Sequence, residues 1–233
     1  MSLIVVDGAD GSGKSTAFRL LMDWLTIDRK LPADGYQMPG ATALGQELRK
    51  LVKSKAYPTA PMTERLIFAA DMAQLIAEKI EPAKKQSRIV ICDRYAPCTD
   101  AIYGLASGIG LESLEALQKA AKIDYPCDLY IIFKCPYEIS SQRKIKRSGG
   151  QQIGEECRIE DQGDSFMKKV SSLYNGIEET GGYGDSANCN ASLDTFLRAR
   201  AKRICSVDAS KSPKEVLEQI KGILESSNLL PPF

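Results

Sequence analysis

The apolar residues Leu3-Ile4-Val5-Val6 run without a gap into Asp7-Gly8-Ala9-Asp10-Gly11-Ser12-Gly13-Lys14-Ser15, and this junction restricts the architecture more than any other stretch of the chain. A short Ile/Val-rich run reads as a buried strand; the glycines turn the chain, and the apolar positions Phe18, Leu21, Met22 and Leu25 then follow helical spacing. A helix that starts in this way leaves consecutive backbone N–H groups unpaired and aimed at one point, where a polyphosphate fits. The spacing is GxxxxGK[ST]. Gly8, Gly11 and Gly13 let the backbone approach phosphate oxygens, Lys14 brings a mobile cation, and the Ser15 hydroxyl is a ligand for Mg²⁺. Asp10, Ser12 and Thr16 complete the phosphate-contacting set.

Further short apolar runs at 89–92, 129–133 and 204–207 have the same Ile/Val-rich character, and 35–38 supplies a weaker fifth strand. Segments of helical periodicity lie between them, at 15–26, 43–53, 63–84, 111–122, 136–147, 166–174 and 212–224. Strand alternating with helix predicts an α/β fold: a doubly wound, parallel five-stranded sheet with helices on both faces, in a single domain over 1–233. Ser212-Pro213-Lys214-Glu215 is a helix start, with a capping serine, proline in the first turn and glutamate three positions on. Residues 178–190 are rich in Gly, Asp and Asn and read as a solvated loop.

Composition removes several alternatives. With 31 basic and 30 acidic residues there is no global field to attract nucleic acid or an anionic membrane, so anion recognition has to be local. The seven cysteines are scattered without a CxxC pair, which suits reduced thiols in a cytoplasmic setting better than a disulfide framework or a zinc site. No apolar stretch reaches the roughly 20 residues needed to cross a bilayer, and the strand at residue 3 leaves no room for a signal peptide. Histidine is absent, so the chemistry must use carboxylates, cations, hydroxyls, thiols or metal.

Two more clusters carry chemistry. Asp93 and Arg94 end the buried run 89–92, at the sheet edge where ligands of parallel α/β folds sit. Asp93 is placed there to hold Mg²⁺ through water and Arg94 to bind a second phosphate; a strand-end ion pair is the plainer reading. Arg143, Lys144, Lys146 and Arg147 end a helix that runs into the glycine-rich 148–154, with Arg158 beyond. Arg143 and Arg147, four apart, share a helix face with room for an anion between them. The stretch 147–160 reads as a basic lid that neutralises charge on a transferring phosphoryl group, with simple solvated charge as the alternative.

These elements resemble, in order, the thymidylate kinase family of nucleoside monophosphate kinases. The likeness is carried by residues 7–16, by Pro39-Gly40-Ala41-Thr42 with Gly45 and Arg49, and by Phe68-Ala69-Ala70-Asp71-Met72-Ala73-Gln74. It continues through Asp93-Arg94-Tyr95, Arg158-Ile159-Glu160 and Val207-Asp208-Ala209-Ser210, leaving a 178–199 insertion unmatched. The resemblance implies transfer of the γ-phosphoryl of Mg-ATP to a deoxynucleoside 5′-monophosphate, with ATP and Mg²⁺ as cofactors and a homodimer as the assembly. It assigns Lys14 to the β,γ-phosphates, Ser15 and Asp93 to the metal, Asp10 to the acceptor sugar and Arg94 to the acceptor phosphate. Phe68 stacks on the base, and Pro39, Arg49, Met72, Thr99 and Tyr103 line the acceptor. Since Gly11 and Ser12 stand where some members carry a basic residue, the resemblance implies that the catalytic cation is Arg147 or Arg158 of the lid.

The departures concern the base. Met72 replaces the usual arginine that reaches thymine, Gln37-Met38 replaces Arg-Glu, and Cys98 and Ile102 replace a serine and an aromatic residue. dTMP or a related nucleotide is the expected acceptor, with C5-modified dUMP, dGMP or a broad dNMP set left open. A P-loop ATPase or switch without an acceptor is the more distant reading.

Overall fold

Alternate residues of β1 (Ser2–Gly8) bury on opposite sides of the sheet: Leu3 and Val5 enter one core, Ile4 and Val6 the other. The same division runs through β3 (Ile89–Asp93), where Val90 and Cys92 oppose Ile89 and Ile91, and through β4 (Leu129–Lys134), where Tyr130 and Ile132 oppose Leu129 and Ile131. A strand covered on both faces has no polar side, which is why these runs are continuously apolar rather than alternating. The computed structural model describes residues 2–147, 159, 162–179 and 191–231.

With β2 (Ala33–Gln37) and β5 (Ile204–Asp208), the strands form one parallel sheet in the order β2-β3-β1-β4-β5. The five expected strands are all present, β2 beginning two residues earlier than expected. On one face pack α1 (Lys14–Asp23) and α10 (Pro213–Ser226). Gly35 of β2 makes the first of these contacts possible, because a Cβ there would lie 2.7 Å from the Phe18 ring. The opposite face is covered by α3 (Pro61–Leu75), α5 (Ala96–Ala106), α6 (Leu111–Ala120), α8 (Asp164–Asn175) and α9 (Ala191–Arg198). The remaining helices are α2 (Ala43–Lys53), capped by the Thr42 hydroxyl, short α4 (Glu81–Lys85), and α7 (Tyr137–Arg147). The Ser212–Glu215 capping box forms as expected at the start of α10.

Three differences from the expected elements have physical causes. The helix expected over 63–84 is broken by a wide π-turn at Ile76–Ile80, just before Pro82, whose ring and missing N–H disturb the preceding turn. Helix α5 was not among the expected helices because nearly every position, from Ala96 to Gly104, is buried, so it has no polar stripe to set a period. The insertion expected at 178–199 is not wholly an excursion: Leu193, Phe196 and Leu197 of α9 join the core against α5 and α6. Residues 180–190 of the expected loop lie outside the described residues.

Candidate active site

The carboxyl ends of β1, β3 and β4 open into one hollow of about 1430 Å³, larger than the roughly 300–1,000 Å³ of a typical single-ligand pocket. Its floor is the loop between β1 and α1. Gly11 takes a left-handed conformation, φ 84°, and a Cβ there would lie 2.2 Å from the Ser140 carbonyl oxygen of α7, so no side chain is accommodated. Gly13, also left-handed at φ 96°, leads into α1. The N–H groups of Gly13, Lys14 and Ser15 have no acceptor among the described residues, and the buried Ser12 hydroxyl has no partner either. Orphaned donors around a cradle that excludes side chains fit a polyphosphate. Gly8 and Asp7 lie beneath this floor and do not line it; Asp10, Gly11, Ser12, Gly13, Lys14, Ser15 and Thr16 do.

Two cations, one at the start of α1 and one just past the end of β3, meet over the loop. Lys14, 6% exposed, donates to the Ala9 carbonyl at 2.9 Å and lies 4.0 Å from Asp10 Oδ1. Arg94, φ 74°, ion-pairs with Asp10 and reaches Asp7 Oδ1 at 3.4 Å, its guanidinium 5.4 Å from the Tyr103 ring centre. Burial alone would raise the Asp10 pKa, yet Arg94, Lys14 and Lys144 hold its carboxyl well below the usual range. Burial and then the neighbouring Arg94 pull the Lys14 ammonium below its ordinary value. Ser15 donates to Asp93 Oδ2 at 3.1 Å. A hydroxyl and a carboxylate side by side at the phosphate floor are the hard oxygen donors that Mg²⁺ takes.

The remaining expected residues fall in three places. Phe68, half-buried, Pro39 and Arg49 line the hollow on the β2/β3 side. Arg49 packs over Gly40 and donates to the Pro39 carbonyl at 2.8 Å. Thr99 and Tyr103 line it too, but their hydroxyls are engaged with Asp7 Oδ2 at 2.6 Å and Asp10 Oδ2 at 3.3 Å. Met72 is fully buried in the core and is not among the lining residues, because it lies on the face of α3 that packs toward α5 and α6. Arg158 and the Arg147 side chain lie outside the described residues. Arg143 does not leave its charge free for an anion beside Arg147: its guanidinium donates to the carbonyls of Ala209 at 2.6 Å, Ser210 at 2.8 Å and Lys211 at 3.2 Å.

Two constellations were not foreseen. Asp7, 0% exposed, accepts hydrogen bonds from Gly8 N at 2.8 Å and from the hydroxyls of Thr99, Tyr130 and Tyr174 at 2.6, 2.9 and 2.9 Å. A carboxylate ending an apolar strand run was the available signal, since a buried charge needs such partners. The second is a buried triad. Arg65 ion-pairs with Glu64 and with Asp100, the latter at 2.9 Å, and its guanidinium lies 4.7 Å from the Phe68 ring centre. Burial, reinforced by Glu64 and opposed by Arg65, pushes Asp100 up to about 7.

Comparison with known proteins agrees with this geometry. The thymidylate kinase family model matches residues 6–180. The chain is 31% identical over 226 residues to the thymidylate kinase of Carboxydothermus hydrogenoformans, covering 97% of each chain. It is 37% identical over 228 residues to that of a Synechococcus species, covering 95% of this chain and 94% of the relative. Similarity of that extent, running through the phosphate loop, the Asp93-Arg94 strand end and α8, makes this chain a member of the thymidylate kinase family of nucleoside monophosphate kinases.

Proposed function

We propose that the protein transfers the γ-phosphoryl group of Mg-ATP to the 5′-phosphate of dTMP or a closely related deoxynucleotide, giving the diphosphate. The observation that carries this reading is the convergence of Lys14 and Arg94 on Asp10, in a hollow that also holds Phe68. Two anions brought end to end need cations between them, and here one cation comes from the β1 loop and the other from the end of β3.

The donor triphosphate lies along the Gly13–Ser15 N–H groups with Lys14 at its outer phosphates. The acceptor lies toward β2 and β3, its phosphate on Arg94, its sugar hydroxyl on Asp10 and its base against Phe68. Ser15 and Asp93 are the residues that would hold Mg²⁺, which when bound neutralises charge on the phosphate oxygens. One P–O bond to the departing diphosphate breaks and one forms to an acceptor phosphate oxygen. That oxygen is already anionic near neutral pH, so no general base is required, in keeping with a chain lacking histidine. Arg147 or Arg158 of the lid is the proposed third cation.

Burial of Met72 favours one second reading, a base preference other than plain dTMP. C5-modified dUMP, dGMP and a broad dNMP set are the candidates. Exposed Leu44 and Leu51 on α2 and Leu66 on the adjoining α3 support the homodimer, which sedimentation velocity would test. The deciding experiment is steady-state ADP formation with ATP, Mg²⁺ and a panel of deoxynucleoside monophosphates. dTMP or a related acceptor is expected to drive turnover; ADP formation indifferent to every acceptor would overturn the proposal.

A further inference from the structure

Beneath Phe68 the hollow ends on a polar pair where the family resemblance leads one to expect an arginine at position 72. Arg65 and Asp100 are each 2% exposed, yet both line the hollow beside Phe68 and Thr99. Arg65 lies on α3 two helical turns before Met72, on the same side of the helix. One Asp100 oxygen, Oδ1, accepts from Arg65; the other, Oδ2, is buried and has no hydrogen-bond partner among the described residues. Leaving a buried carboxylate oxygen unsatisfied is costly, and a native protein normally assigns such an atom a partner. The missing partner is a donor. Arg65, with five N–H donors in a planar fork, does not exhaust them on Glu64 Oε1 and Asp100 Oδ1.

We propose that Asp100 and Arg65 together read the Watson–Crick edge of the acceptor base, Asp100 accepting from a ring N–H and Arg65 donating to the carbonyl beside it. This rests on the nucleotide-kinase reading above and narrows its acceptor. Thymine, uracil and C5-substituted uracils present an N–H next to a carbonyl, and so does guanine. Cytosine and adenine present a bare ring nitrogen next to an amino group, which sets lone pair against lone pair at Asp100 and N–H against N–H at Arg65. A site built to hydrogen-bond one pattern rejects the other by leaving its own buried groups unpaired, whereas a purely apolar pocket would discriminate far less. Met72 can then be apolar because the charged donor comes from two turns earlier on the same helix. Burial, with Glu64 beside it, raises the Asp100 carboxyl toward neutrality, and a ring N–H donated to Oδ2 would hold it in the ionised, accepting form.

The test compares dUMP with dCMP, which differ only at that edge. Wild-type protein is expected to favour dUMP in kcat/KM by at least about a hundredfold. Asp100→Asn, which has nearly the same shape but can donate to the cytosine ring nitrogen, is expected to shrink that ratio at least tenfold, mainly through KM. A ratio unchanged in both Asp100→Asn and Arg65→Met would overturn the assignment while leaving the kinase reading intact. Absence of turnover with every monophosphate would overturn both. Should either variant fail to fold, wild-type protein still decides by calorimetric titration with dTMP and its N3-methyl derivative. Loss of affinity of tenfold or more on methylation is expected, and equal affinity would overturn the proposal.

Discussion

Tyr174 of α8 donates its hydroxyl to Asp7 Oδ1 at 2.9 Å, tying the strand beneath the phosphate loop to a helix 167 residues later in the chain. Both residues are buried, Asp7 at 0% and Tyr174 at 1% exposure. Thr99 and Tyr130 complete the same carboxylate, so the floor of the hollow is held from α5, β4 and α8 at once. Removing one hydroxyl without changing shape isolates one bond of this set. Tyr174→Phe is expected to destabilise the fold by about 1.5–3 kcal/mol, the usual worth of a hydrogen bond to a charged group. Urea denaturation with an unchanged slope and a lowered midpoint would bear this out; an unmoved midpoint would contradict it.

Lys14 is the donor-side cation of the proposed reaction and is nearly enclosed. Lys14→Ala is expected to lower kcat by at least about a hundredfold, on the scale of losing one preorganised stabiliser of transition-state charge. The fold should survive, because among the described residues the Lys14 Nζ partners are the Ala9 carbonyl and the edge of Asp10. Turnover measured beside far-ultraviolet circular dichroism separates the two effects, and retained turnover would remove Lys14 from its role.

Arg143 acts at the other end of the hollow, toward β5, where its guanidinium gathers the carbonyls of Ala209, Ser210 and Lys211. The loop it anchors lines the hollow, on the side away from Phe68. Arg143→Met is expected to raise KM for ATP about fivefold or more while leaving KM for the acceptor nearly unchanged, since charge-assisted bonds of this kind are worth about 1.5–3 kcal/mol. Equal rises in both constants would show that Arg143 does not serve the donor side.

Asp100 makes stability depend on pH. Its carboxyl is raised in the folded chain to about 7, by burial and by Glu64 against the pull of Arg65, from an ordinary value of 3.8. A raised carboxyl binds its proton more tightly when folded, so its stabilising contribution is complete below pH 3.8 and is lost as pH climbs through about 7. Asp100→Asn removes that titration. The melting temperature of the variant minus that of wild type is therefore expected to grow between pH 5 and pH 8; a difference that is flat or falling would contradict the shift.

Much of the architecture was legible because it is local. The Ile/Val runs at β1, β3, β4 and β5 announced strands covered on both faces, and 35–38 marked the weaker β2. Helix α5 escaped because a helix buried all round has no stripe to read, and α9 because its apolar residues follow a Gly/Asn-rich stretch. In the site, the phosphate loop, Asp93 and Arg94 were visible from spacing. Met72 lies in the core and not on the hollow, since position within a motif says nothing about which way a helix face turns once it packs.

The order of residues along the chain was enough to specify the cradle, because a strand, three glycines and the start of a helix shape their own backbone within about a dozen positions. It was enough as well for the Ser212–Glu215 cap, whose partners are three residues apart. Which carboxylate meets which donor was settled only when the sheet assembled. Asp7 finds Tyr130 and Tyr174, and Arg65 finds Asp100, across gaps of 123, 167 and 35 residues. Hydrogen bonds act over about 3 Å, and only the register of parallel strands and the packing of helices upon them brings such distant groups within that reach.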